Sequence, residues 1–196
     1  MKAALLVIDM QNDYCHPSGK MAKVVKHDIS PITKMIPRLN AFIEQAREMK
    51  IPIVFTQMTD SANFVPENAR RKILELGDIE LTKPCTWGYD LLIKPAKGEF
   101  VFEKNYPDAM TSKKLVSYLK KNKFDTLIIT GVNTHACVDS TVRSAFSLGF
   151  NIIVPSDLVA CPRKFSQAQK EILKICQLLF AEVRPSEEVI KELKLT

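Results

Sequence analysis

The chain has 196 residues, 46% of them hydrophobic and 26% charged, a balance that suits a globular domain with its own core and excludes collagenous, linker-like and disordered readings. Lys and Arg number 28 against 22 Asp and Glu, for a net charge of +6, but 21 of the 28 are Lys spread over predicted helices, so nucleic acid is not implied. No apolar run reaches the roughly 18–20 residues that a membrane span needs.

Taken in chain order, the first apolar run, Ala3–Ile8, reads as a buried strand and meets Asp9 too soon for a signal peptide, which predicts a cytoplasmic protein. Ile36, Leu39, Ile43, Ala46 and Met49 follow at helical spacing, before strands at 51–55 and 100–102. Between these strands, 58–95 is irregular and reads as a lid or excursion. Thr111 and Ser112 are candidate caps for a helix carrying Leu115, Tyr118 and Leu119. Its basic side chains, Lys113, Lys114, Lys120, Lys121 and Lys123, read as a solvated outer face whose field draws in anions at most modestly. A strand at 126–129, a helix at 136–148 closed by Gly149, and a strand at 151–154 come next. The helix Ser166–Leu179, a strand at 180–183 and the helix Ser186–Leu193 end the chain.

The strand runs are β-branched and nearly continuous, as parallel strands covered on both faces are. Their alternation with helices predicts a three-layer α/β/α fold. Its central, mostly parallel sheet has about six strands, residues 1–196 form a single domain, and the ligand site lies beyond the carboxyl ends of the strands.

Cys15, Cys85, Cys137, Cys161 and Cys176 form no CxxC pair, and His16, His27 and His135 show no HxH or HxxxH spacing. Neither a zinc site nor a disulfide framework is expected. GxGxxG, GxxxxGK[ST] and GxSxG are all missing, which disfavours nucleotide-binding and α/β-hydrolase serine chemistry. Three polar residues at strand ends remain. Asp9 closes the first strand in D-M-Q-N-D, Lys104 ends F-V-F-E-K, and Cys137 follows the turn Gly131-Val132-Asn133-Thr134 into the first turn of a helix. A helix start favours a thiolate and offers N–H groups to an oxyanion. If their strands lie side by side, the three supply a base, an orienting cation and a nucleophile, which is the minimum for covalent acyl transfer.

D-M-Q-N-D-Y at 9–14, F-E-K at 102–104, G-V-N-T-H-A-C-V-D-S-T at 131–141 and S-D-L-V-A at 156–160 resemble the isochorismatase-like cysteine hydrolases over nearly the whole chain. The resemblance implies that Asp9 takes the thiol proton, Cys137 attacks the carbonyl carbon of an amide, ureido or carbamoyl group, and Lys104 orients and charge-balances the pair. Ammonia or an amine leaves, and water hydrolyses the thioester. It also implies an oxyanion hole from the backbone N–H groups of Asn133 and Cys137, a cis Val132–Asn133 peptide, no cofactor, a small-molecule substrate and a homo-oligomer, dimeric or tetrameric.

Departures from the family bear on substrate. Thr56-Gln57-Met58-Thr59-Asp60-Ser61 stands where nicotinamidases carry metal-binding histidines, so nicotinamide is disfavoured and no metal is expected. Isochorismate-cleaving members typically lack the cysteine, and Cys137 therefore points to C–N hydrolysis. A nicotinamidase-like or isochorismatase-like activity on a ring substrate, or a non-catalytic binding member, are the alternatives. Tyr14 and Trp87 are candidate pocket walls with core packing as the other reading. His135 is two residues before Cys137 and points to a different face, which favours a rim or interface role over a Cys–His dyad. His16, in the loop after Asp9, is a candidate substrate contact, and Thr141 is expected to bond within its own helix.

Overall fold

A computed structural model of the chain describes residues 1–59, 67–68, 71, 75 and 79–195. Seven strands form its sheet: β1 (Ala3–Ile8), β2 (Ile53–Met58), β3 (Phe100–Lys104), β4 (Thr126–Val132), β5 (Asn151–Pro155), β6 (Val159–Ala160) and β7 (Glu182–Arg184). Their order is β3-β2-β1-β4-β5-β7, with β6 paired to the end of β4, and every pairing between them is parallel. The extra strand relative to the sequence reading is β6, whose two residues are too short to stand out as an apolar run.

Continuous apolar strands are explained by burial on both faces. Leu5 and Val7 of β1 join one core with the helices Ser30–Glu48 and Ser186–Leu193. Ala4, Leu6 and Ile8 join the other, with the helices Lys113–Lys121, Asp139–Ser147 and Ser166–Leu179. Alternate residues of one strand thus serve opposite layers. The first long helix starts at Ser30, ahead of the periodic stretch that begins at Ile36, because Pro31 suits a first turn and the helix tolerates Pro37 inside it. Ser112 is the cap of the next helix and accepts from the Leu115 N–H, whereas the Thr111 hydroxyl bonds back to the Asp108 carbonyl.

The topology decides where chemistry can occur. Connections from β1 run outward through β2 to β3, while those from β4 run the other way to β5 and β7. The switch falls between β1 and β4, and open α/β sheets form their ligand crevice at such a point. Gly131 lets these strands approach: at φ +107°, a Cβ there would lie 2.2 Å from the Ile8 carbonyl oxygen, so no side chain fits. The expected lid at 58–95 lies in part outside the described residues. Its described end, from 79 on, is pinned to the loop after β1, with Gln11 bridged antiparallel to Leu91 and the Leu92 N–H donating to the Met10 carbonyl at 2.7 Å.

Candidate active site

Asp9, Lys104 and Cys137 all sit at the carboxyl edge of the sheet and are buried, at 0%, 2% and 8% exposure. Asp9 follows β1 with φ +48°, a left-handed conformation that an Asp tolerates better than most residues. Its backbone N–H bonds the Thr56 carbonyl at 3.2 Å, which fixes the turn to β2. Cys137 lies in the wide helical turn Thr134–Val138 after β4, and the Val132–Asn133 peptide before it is cis. β3 is not adjacent to β1, so Lys104 crosses the end of β2 to reach Asp9, passing Met58, whose Sδ is 3.7 Å from Nζ.

The Lys104 Nζ lies 2.7 Å from Asp9 Oδ2, and the same ammonium donates to the Tyr106 and Pro107 carbonyls at 3.0 Å each. Three acceptors thus meet its three donors. The other Asp9 oxygen accepts from the Thr56 hydroxyl at 2.8 Å. A dry ion pair persists only with further hydrogen bonds to hold it, and here Lys104 has its two carbonyls and Asp9 Oδ1 the Thr56 hydroxyl, while Asp9 Oδ2 is held by the ammonium. Thr56 is a partner that the sequence reading missed, although a polar residue closing the apolar run I-V-F-T was the available signal.

Cys137 touches both ions. Its thiol is pushed up to about 12 on balance: burial raises it most, Lys104 opposes that, the Asp9 charge and a hydrogen bond to Asp9 raise it further, and the Asn133 backbone N–H lowers it. The helix start therefore does not deliver a resting thiolate, because removal from water outweighs the end of one helical turn. Burial by itself lowers Lys104, but Asp9 first and Cys137 second outweigh it and hold the ammonium above the ordinary lysine value. The resting arrangement is a neutral thiol beside a fixed ammonium, with a carboxylate as the acceptor of the thiol's hydrogen bond.

Neighbouring residues hold this centre in place. Thr141 donates to the Cys137 carbonyl at 2.7 Å within its helix and accepts from the Ala109 N–H at 3.0 Å. Ser144 of the same helix donates to Asp108 at 2.7 Å. The segment that supplies two carbonyls to Lys104 is thereby tied to the helix that carries Cys137. Gln11 works likewise on the opposite side, donating to the Met58 and Tyr89 carbonyls at 2.9 and 2.8 Å and accepting from the Met58 N–H at 2.8 Å.

The remaining candidates are farther from the ion pair or differently engaged. Tyr14 is partly buried against the core that includes Leu5 and Val7 of β1. Trp87 is half exposed and meets the His16 ring edge-on at 5.0 Å, while His16 Nδ1 accepts from the Ser18 N–H. His135 stacks on Phe165 with ring centroids 3.9 Å apart, a contact that accounts for its ring without Cys137. Among the described residues, no three His, Cys, Asp or Glu side chains stand together to hold a metal ion, and no helix is long and apolar enough to cross a membrane.

Comparison with known proteins matches residues 3–188 to the family model described as the isochorismatase domain. Ureidoacrylate amidohydrolase RutB of Pseudomonas savastanoi pv. phaseolicola is 28% identical over 171 residues, covering 80% of this chain and 69% of the relative. The same enzyme of Serratia proteamaculans is 29% identical, covering 80% and 68%. A cysteine hydrolase from Pseudomonas syringae pv. phaseolicola 1448A superposes with a TM-score of 0.85 at 18% identity, over 99% of this chain and 93% of that one. N-carbamoylsarcosine amidase from Thermoplasma acidophilum does so at 0.75 and 23%, over 95% and 97%.

Proposed function

The chain belongs to the isochorismatase family, and on that footing we propose that it is a hydrolase of C–N bonds other than peptide bonds, working on a small amide, ureido or carbamoyl compound through a thioester on Cys137. The amidohydrolase names of its relatives support the bond class. The observation that carries the mechanism is the buried Asp9–Lys104 ion pair, both members of which contact the Cys137 thiol.

With its proton on sulfur at rest, Cys137 becomes a nucleophile only as that proton moves to Asp9. Lys104 compensates the negative charge shared between sulfur and carboxylate during the transfer, and its fixed contacts to Tyr106 and Pro107 mean that it need not reorganise. The sulfur bonds to the carbonyl carbon, and the oxygen takes the negative charge facing the backbone N–H groups of Asn133 and Cys137. Asp9 returns the proton to the departing nitrogen as the C–N bond breaks, leaving a thioester and ammonia or an amine. Asp9 then deprotonates a water that attacks the thioester, which releases the acid and restores the thiol. No metal or cofactor enters this scheme. Trp87, exposed on the loop beside the Asp9 turn, and Tyr14 are proposed as outer walls of the entrance.

Ammonia release tests the proposal, measured over nicotinamide, N-carbamoyl amino acids, ureido acids, biuret and aliphatic amides with Cys137→Ala alongside. Release by the wild type that disappears in the variant is expected. Equal release by both contradicts the reading, and silence over the whole panel favours a member that binds without catalysis.

A further inference from the structure

The sheet by itself does not place Lys104 beside Cys137. In the order β3-β2-β1-β4, Lys104 ends the edge strand β3 and Cys137 follows β4, so no ladder hydrogen bond relates one backbone to the other. The lysine stem is flexible, and its ammonium stops where Asp9 and the Tyr106 and Pro107 carbonyls hold it. Whatever fixes those two carbonyls relative to the sulfur therefore fixes the ammonium as well.

One hydroxyl spans that gap. Thr141 is fully buried on the helix that continues from the Cys137 turn. Its hydroxyl donates to the Cys137 carbonyl at 2.7 Å and accepts from the Ala109 N–H, 32 residues away in sequence, at 3.0 Å. Ala109 is two residues past Pro107 and opens the 3-10 turn Ala109–Thr111, which the Asp108 carboxylate caps by accepting from the Met110 N–H at 2.8 Å. The nucleophile's backbone and the ammonium's cradle are thus joined through a single oxygen. A helical threonine commonly bonds the carbonyl four residues back, so the first bond serves the helix. The second serves nothing in the helix, and a hydroxyl can make it only because it donates and accepts at once. Ser144 makes the contrast: it ties the same segment to the same helix through the Asp108 side chain, at 2.7 Å, whereas Thr141 ties it to the Cys137 backbone itself.

We propose that Thr141 is a positioning residue for the reaction: through the Ala109 N–H, its hydroxyl sets the distance between the Lys104 ammonium and the Cys137 sulfur, and with it the charge compensation that the sulfur receives. This rests on Cys137 as the nucleophile. It extends that reading to a residue that touches neither substrate nor the reacting atoms.

Alkylation of Cys137 by iodoacetamide tests it, followed by peptide mass spectrometry at stepped pH from about 7 to 9, where the rate rises about tenfold per unit below the pKa of a thiol. The reagent is itself a small primary amide, so it enters where such a substrate does. Thr141→Val keeps the branched shape and removes both bonds, Thr141→Ala removes them without the extra methyl, and Thr141→Ser keeps the hydroxyl. An ammonium drawn ~1 Å away from an anion some ~4 Å off loses about fourfold in stabilisation at an effective dielectric of ~20. Both Thr141→Val and Thr141→Ala should therefore be alkylated at Cys137 about fourfold more slowly at every pH, and Thr141→Ser should recover the wild-type line. The sign separates this from a structural role, because loosened packing exposes a buried thiol and speeds its reaction. Thr130→Val is the control for stability: it removes a buried hydroxyl bonded to the Leu6 carbonyl inside the sheet and should not slow the alkylation. Unchanged or faster alkylation in Thr141→Val and Thr141→Ala, equal slowing in Thr130→Val, or no recovery in Thr141→Ser overturns the proposal and leaves the nucleophile untouched. A folded wild type whose Cys137 resists the reagent throughout overturns the nucleophile reading, and the positioning role with it.

Discussion

Two regions flanking Asn133 are built on opposite rules: one holds the Cys137 sulfur, which the Asn133 N–H bonds, and the other is a cavity of about 310 Å³ that Asn133 also lines. Around Asp9, Lys104 and Cys137 each charge faces its opposite: the ammonium meets Asp9 Oδ2 and two carbonyls, the other carboxylate oxygen a hydroxyl, and the thiol a hydrogen bond to Asp9. Around Phe165 the polar atoms are in excess, with two unpartnered imidazole nitrogens and a cation that faces no acid among the described residues. A site that only has to move a proton between its own groups can be complete without ligand. One that recognises a ligand leaves the complementary atoms for the ligand to bring. The first region thus speaks to reaction type.

The sharpest way to break this contrast is on the paired side. Cys137→Ala should lower turnover by at least about 10³-fold without unfolding the chain, as removal of a nucleophile does. Asp9→Asn, which leaves the thiol proton without an acceptor, should cost about 10²–10⁴-fold in kcat. Lys104→Met strands the Asp9 carboxylate in a dry site and should lower unfolding free energy in urea by about 3–5 kcal/mol, while an unchanged midpoint would show that water reaches the pair. Thr56→Val removes one hydrogen bond to a charged group and should cost about 1.5–3 kcal/mol with the fold intact. The smallest effect lies in alkali. The Cys137 thiol is held protonated in the folded state, up to about 12 against an ordinary value of 9.0, so its contribution is complete below pH 9 and falls as pH rises from 9 toward 12. Cys137→Ser should remove one thiol's share of that fall, with Cys15, Cys161 and Cys176, also raised by burial, supplying the rest, as measured by urea unfolding at stepped pH.

The sequence made the sheet legible because doubly covered strands leave long apolar runs, and β1, β4 and β5 are such strands. Asp9 and Cys137 were legible because each follows such a run at its carboxyl end, whereas Lys104 ends β3, an edge strand whose Phe100 and Val101 are exposed although its apolar run reads as buried in the sequence. That Lys104 must reach past β2 was not legible, since strand order is a property of the sheet and not of any one strand. Nor was the state of the thiol: a helix start argues for ionisation, and only the packing shows that burial prevails. The cavity beside Asn133 was also hidden, because it draws His27, His135 and Lys164 from three segments distant in sequence that meet around the Phe165 ring.

The central claim is a covalent bond to one sulfur, and acid quenching during steady-state turnover followed by peptide mass spectrometry tests it most directly. The account predicts an acyl adduct on the peptide containing Cys137, of the substrate's mass less that of the departing ammonia or amine, lost on treatment with hydroxylamine and absent in Asp9→Asn. Turnover at the wild-type rate by Cys137→Ala, or an adduct on Cys15, Cys161 or Cys176 instead, would contradict it.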